Sequence, residues 1–577
     1  MTNIRIVLNT VVLLFIYMPV LVAQFDLPGR RGSSSGSGAT FEQSDFEQDT
    51  LNVRYYYQTA PEVSYIFDDT LLSHFHEFDL NDIDGVIYQN LGFPGSAVRP
   101  LISSPNTFTG FALGLDSYRP YFVDDHNFRF YHSKKAITNV FFTKGKTQND
   151  GLLSAQFGRS FKDRIQFSLD FKRYTNFGIY SRQAGRNTNM GVGMSYFSED
   201  KRLLVFATHY SNIIDQQNNG GITTDTLFTA AFSEERTNIP TYLANANTRD
   251  QYKVYQLQAR YRLLGKDTLD TGKGLELKYI FRADNRKFKF SDTQFSDESV
   301  DYYNTLLTDD RGVRHFIGHQ RIINDFSLNV GNQPDRQIKV GLRSIINKIN
   351  QEPKNETITE WKGYGNARWN FVNRLTLEAL GELNINRENA SFLAVGLLTA
   401  NLGKAGTLSG LWKVNQQRPT LIQRRLFINQ IQVWENDFRN IFVNELQATY
   451  SIPEVNFKLI GGQVLANNSI YFNDQGFPVQ EEGISSLLYL SIFKSFKLGP
   501  LFNENRVVLQ QGSNNPVFRV PNWYSHHSVD VSGILFKRVL DFRSGFDLRI
   551  NNPYKGYSYF PVTGQFVVED KIGIPFY

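Results

Sequence analysis

From Tyr255 to Leu263 apolar and polar residues alternate without a miss, with Tyr255, Leu257, Ala259, Tyr261 and Leu263 against Gln256, Gln258, Arg260 and Arg262. Extended backbone sends successive side chains to opposite faces, so such a strand is greasy on one side and wet on the other. The beat returns along the chain. Ile165, Phe167, Leu169 and Phe171 oppose Gln166, Ser168, Asp170 and Lys172; Leu275, Leu277, Tyr279 and Phe281 oppose Glu276, Lys278 and Arg282, with Ile280 out of step. Leu375, Leu377, Ala379, Leu383 and Ile385 oppose Thr376, Glu378, Glu382 and Asn384, and Phe542, Phe546, Leu548 and Ile550 oppose Asp541, Arg543, Asp547 and Arg549. Charge in mid-strand on one face needs water or a partner on that side. Strands of a soluble sandwich usually run about five or six residues. Several here keep alternating for nine or more, near the 9 to 11 or so that a tilted membrane crossing requires.

The rest of the composition agrees with a wall between oil and water. Mean hydropathy is on the polar side at −0.35, yet 14% of residues are aromatic, with 48 Phe and 29 Tyr against 4 Met. A transmembrane barrel wants this balance, because its outer band is apolar between aromatic girdles while the inner half of each strand is polar. In hydrocarbon an unpaired amide costs several kcal/mol, so an open sheet edge is not tolerated and the strands must meet in a ring. The expected fold is all-β: a closed antiparallel transmembrane β-barrel over residues 102–577. At one strand per roughly 25 to 35 residues it would hold about 14–18 strands, an even number by the usual rule. A ring of about 16 leaves an aqueous channel. Short links such as Ser198–Lys201 and Phe371–Arg374 contrast with long polar stretches at 212–250, 284–320 and 351–360, and the long ones should face outside the cell.

The N-terminus reads as an address. Met1, the lone charge Arg5 and the apolar stretch Val11 to Ala23 have the layout of a signal peptide over residues 1–23, cut after Ala23. Its removal takes the formal charge from +5 to +4, since the block holds one Arg and no acid. Residues 24–50, with a Ser/Gly run from Ser33 to Gly38, read as a flexible linker. Residues 51–101, aromatic and turn-rich, read as a short periplasmic or plug-like segment ahead of the barrel. With no Cys in the chain, a disulfide framework, thiolate metal site or cysteine nucleophile is excluded. After Ala23 no apolar run reaches the 18 or so residues a spanning helix needs.

No constellation points to catalysis. His526 and His527 stand beside Ser525 and Ser528, but neighbours on a strand point to opposite faces and cannot serve one site. His74 and His76 share a face if extended, yet two ligands without a third make no metal centre. Gly191-Val192-Gly193 lacks the strand-to-helix context of a nucleotide site and reads as strand glycines. Trp434 to Phe438 reads as an interfacial girdle ending in a turn. No enzyme activity, cofactor or metal is expected. The expected lining of the channel is Lys172, Arg260, Arg262, Lys278, Arg282, Arg543 and Arg549, partly balanced by Asp170, Glu276, Glu378, Glu382, Asp541 and Asp547. Such a mixed lining should pass small ions of both signs, with a slight preference for anions.

Five stretches carry a family resemblance: Asp69-Thr70-Leu71-Leu72, Tyr88 to Gly92 with Gly95-Ser96-Ala97, Phe157-Gly158-Arg159-Ser160-Phe161, Asn218 to Ile222, and Trp434-Glu435-Asn436-Asp437-Phe438. Over nearly all of the mature chain the sequence resembles the β-barrel porins of Bacteroidota outer membranes. The resemblance implies a bacterial outer-membrane barrel that lets small hydrophilic solutes diffuse through. Its partners would then be membrane lipid, those solutes and the barrel-assembly machinery. Nucleic acid is not among them, and homo-oligomers are left open. Members of that family continue for several strands past a segment like Lys571 to Tyr577. Since Gly573 and Pro575 interrupt what should be a closing strand, the expectation is a fragment lacking its last strands. Three rivals stand beside the porin reading: a docking component of an envelope or secretion machine, a barrel enzyme, and an energised nutrient receptor. The last is disfavoured because about 80 residues ahead of the first strands is short for a full plug domain.

Overall fold

The computed structural model describes residues 53–575 apart from 68–81, 84–85, 103–106, 134, 146–149, 163, 224–235, 266–273, 295–296, 304–305, 307–310, 333–335, 372–373, 387–389 and 537–538. Nineteen strands form one antiparallel sheet, from Ile137–Lys144 to Leu540–Asn551, each paired with the strand next along the sheet. The strand order sets the last beside the first. The count of 14–18 expected from sequence is therefore too low, and it is odd rather than even. An odd number of alternating strands leaves the first and last pointing the same way. The shortfall has a simple cause: links at one end are so short that strands recur more often than the assumed spacing.

Those links are the turns after Phe161, Phe197, Asn332, Phe371, Asn401, Ile452, Leu498 and Leu535. Leu498 pairs with Leu501 across Gly499-Pro500, and Gly499, Asn456 and Lys201 take the left-handed conformation that tight hairpins demand. At the other end the connections are long, at 218–246, 293–312, 418–440 and 468–483. The polar stretches read as loops are in part strand: Asn212 to Gln217, Asp284 to Asp292, Val313 to Gln320 and Glu356 to Glu360 all stay paired. Pairing outlasts the greasy face there because backbone hydrogen bonds do not depend on what the side chains touch.

The two faces invert the rule of a soluble protein. Outward-pointing Val140, Phe142, Val340 and Phe546 are about 60% exposed, while inward Asn189, Asn212, Gln258 and Glu360 are at most 1% exposed. Contiguous exposed apolar surface of this extent marks contact with lipid or protein. Among the described residues no helix is long and apolar enough to cross a membrane.

What buries the inner face is the N-terminal segment, which runs to His132, beyond the expected boundary at 101, before the sheet begins at Ile137. Two of its own strands, Arg54–Tyr57 and Ala60–Ile66, pair with each other, and the first also pairs with Arg129–His132. Gln58, Gly95, Leu101, Phe108, Leu115 and Val123 all receive hydrogen bonds on their carbonyls from inward side chains of strands spread around the sheet. The sheet therefore curls round this segment. A further four-stranded sheet, with Gln565–Ile574 and Tyr554–Phe560 beside Ile470–Phe472 and Pro478–Gln480, covers it near the long-loop end.

Candidate functional site: the cavity beside the N-terminal segment

Along one arc the inner wall and the segment share an aromatic core. Phe128, Phe130, Val123 and Tyr56 pack on Phe197, Leu204, Phe206, Tyr210 and Val254. Gly191 and Gly193 are the sockets: a Cβ at Gly193 would lie 2.5 Å from Phe128 and 2.8 Å from Phe130, and one at Gly191 2.6 Å from Phe128. Only a residue without a side chain lets the rings so close to a strand. Beyond the aromatic core charge takes over. Arg282 donates to Asp284 at 2.8 Å, to Asp125 of the segment at 3.2 Å and to the Tyr252 hydroxyl oxygen at 3.0 Å. Arg321 donates to the same Asp284 at 2.8 Å. Burial alone would raise the pKa of Asp125, but the Arg282 guanidinium beside it overrides that and holds the carboxyl below the ordinary aspartate range.

On the neighbouring arc the wall and the segment part. Between them lies a cavity of about 1480 Å³, lined on the wall side by Asp284, Arg286, His319, Arg321, Asn347, Glu360, Lys362, Glu382 and Lys413. Tyr88, Arg119, Phe108 and Phe111 line it from the segment, and Tyr471, Tyr557 and Phe566 from the long-loop end. Charged, amide and ring surfaces are interleaved in it, and this is a chemistry that holds hydrated polar molecules. Among the described residues no group of three His, Asp or Glu could hold a metal.

The expected lining residues all sit on the inward-facing side of their strands, but most are spoken for. Arg260 is bridged to Glu62 of the segment at 3.0 Å and to Glu276 at 3.3 Å. Lys278, Arg262 and Asp170 are buried, with Gln156 donating to Asp170 at 3.4 Å; Lys172 is half-buried. Glu378 faces Arg368 at 3.5 Å. Arg543 makes a fork to Asp530 at 2.6 and 2.7 Å, and Asp547 meets His526 at 3.4 Å, with Arg549 opposite His526 in the register. Of the thirteen, only Glu382 lines the cavity. Among the described residues the N-terminal segment covers much of the inner wall and leaves the cavity as the open part. Asp284, Arg286, Arg321, Glu360 and Lys362 were the missed lining. Their signal was present in the sequence, since Asp284 and Arg286 continue the inward beat of Arg282, but it lay in text read as loop.

Two smaller expectations are also decided. Trp434 is not at a lipid girdle: it is buried in a loop-end core with Leu421, Ile422 and Leu426 and donates to the Ile422 carbonyl at 3.1 Å. His526 and His527 take separate partners, Asp547 and Asn505. His74 and His76 lie outside the described residues.

This architecture is a large antiparallel sheet with a covered inner face, and the comparisons with known proteins give its family. The chain belongs to the family described as "Putative porin", which matches residues 54–576. No curated protein matches it. Solved structures similar in fold include the copper transporter OprC, at 8% identity and a TM-score of 0.56, covering 82% of this chain and 84% of that one. The siderophore receptor PirA from Acinetobacter baumannii follows at 10%, 0.53, 73% and 69%. A mutant of the ferric enterobactin receptor PfeA from Pseudomonas aeruginosa gives 9%, 0.52, 77% and 70%. At such identities the likeness is one of fold.

Proposed function

We propose that the sheet closes as a transmembrane barrel of the bacterial outer membrane and conducts small hydrophilic solutes by passive diffusion through the cavity beside the N-terminal segment, which acts as a partial plug. The observation that carries this reading is the pairing of an apolar outer face with a polar cavity of about 1480 Å³ inside the same sheet. Family membership supports transport, and the neighbouring folds, named as a copper transporter and siderophore receptors, support an outer-membrane setting. A solute in the cavity keeps its hydration by exchanging water for Lys362, Glu382, Arg119 and Asn347, and the ring surfaces beside them accept its apolar edges.

On this reading lipid covers the outward Phe, Leu and Val rows, the assembly machinery inserts the barrel, and a signal peptide over residues 1–23 exports it. The test is reconstitution of the purified chain in planar bilayers, with sugars of increasing size added as blockers. Ohmic conductance that falls once a sugar fits the cavity is expected. A detergent-free, water-soluble folded chain would defeat the membrane reading, and an inserted but electrically silent one the diffusion reading, leaving a docking component.

A further inference from the structure

Residues 108–111 run along the cavity as a strap tied to six inward side chains of the wall. The Phe108 amide donates to Gln417 Oε1 at 3.3 Å, and Asn415 donates to the Phe108 carbonyl at 3.0 Å. Thr109 donates to Glu382, and Lys362 donates to both the Thr109 carbonyl and its hydroxyl oxygen, the latter at 3.1 Å. The Gly110 amide donates to Ser391 Oγ at 2.7 Å and the Phe111 amide to Glu360 Oε1 at 2.9 Å. Glu360 is itself aligned by Asn384 at 2.8 Å and Asn347 at 3.1 Å. These partners come from four consecutive strands, Glu356–Phe371, Leu375–Asn384, Ser391–Asn401 and Thr407–Gln417.

Two features separate this contact from the aromatic one. Five of the seven ties end on strap backbone and two on the Thr109 hydroxyl, so the contact holds chiefly a path of chain. Every hydrogen-bonding wall partner is hydrophilic, so water can replace the strap at each of them without leaving a buried group unpaired; Phe111 alone of the strap also packs on the loop-end apolar cluster, whereas rings leaving Gly191 and Gly193 would bare a whole apolar arc. The pivot is Gly110, at φ +73°. A Cβ there would lie 2.6 Å from Glu360 Oε1, 2.8 Å from Asn384 Nδ2 and 2.9 Å from Lys362 Cε, so only glycine both takes the left-handed conformation and fits under the wall.

We infer that residues 108–111 are the gate of this conduit: a strap that narrows the cavity while tied and widens it when the wall side chains let go. The inference rests on the diffusion reading above. Gly110→Val forces the strap off its seat through clash and backbone strain, and Glu360→Gln weakens the acceptor of the Phe111 amide without changing shape. A third form, Thr109→Cys with Glu382→Cys, ties the strap by a disulfide, in a chain with no other cysteine to confuse the result.

Each form is first checked for heat-dependent gel migration, which reports the folded barrel, and then measured in planar bilayers beside the unaltered chain. Gly110→Val and Glu360→Gln should raise single-channel conductance several-fold and admit larger sugars. The oxidised cysteine pair should hold conductance at or below that of the unaltered chain, and reductant should restore it. Conductance that is the same in all forms overturns the gate and leaves the conduit standing. Silence in all forms, including folded Gly110→Val, overturns the conduit reading and the gate with it.

Discussion

The aromatic arc and the cavity arc belong to one sheet and obey one alternation, yet they treat the N-terminal segment in opposite ways. At Gly191 and Gly193 the wall gives up side chains so that Phe128 and Phe130 can fill the space, and the contact is close-packed and dry. At Glu360, Lys362 and Glu382 the wall keeps long polar side chains and reaches across a void to the strap. Hydrophobic packing is short-ranged and resists partial opening, while hydrogen bonds to solvated partners exchange with water at small net cost. The first arc therefore anchors the segment and the second lets part of it move.

The comparison breaks most sharply at the anchor. Phe128→Ala should lower thermal stability in detergent by about 3–5 kcal/mol, the usual range for emptying a packed aromatic site, and Gly193→Val should lower it by about 1–3 kcal/mol through overpacking. Thr109→Val on the other arc should leave the melting temperature nearly unchanged while altering conductance. Equal losses on both arcs would erase the distinction.

A smaller and pH-dependent effect comes from the latch between them. Since Asp125 is held below the ordinary aspartate range in the folded chain, its contribution is full above the value it has when unfolded and is lost as pH falls through the folded value. Asp125→Asn should therefore be less stable than the unaltered chain at neutral pH, and the gap should close in strong acid. A gap that widens on acidification would show that Arg282 does not govern this carboxyl. The smallest effect is expected at the long-loop rim, where Lys354 and Glu435 are paired but about half exposed. Lys354→Ala should cost about 0.5 kcal/mol or less, and less still in high salt.

Much of this was legible without coordinates. The strands at Ile165–Asn176, Asn247–Leu264 and Leu375–Asn384 fall where the alternation put them, and Lys172, Arg260, Glu276 and Glu382 face the inside as their parity required. What failed was counting and contact. The strand number was underestimated because a two-residue turn such as Gly499-Pro500 leaves little trace between two apolar strands. Arg260 was expected at open water and is instead paired with Glu62, some two hundred positions away. Trp434 was placed at an interface because a ring near a turn looks alike whether lipid or a buried core receives it.

By itself the sequence determined which side of each strand meets oil, because the period of two is a property of extended backbone and needs no knowledge of neighbours. Only the tertiary structure decided what stands behind the polar side, since that depends on where a distant segment comes to rest. The same inward beat is a socket at Gly193, a latch at Arg282 and a tether at Glu360, and the difference lies wholly in which part of residues 53–132 the curled sheet brings against it.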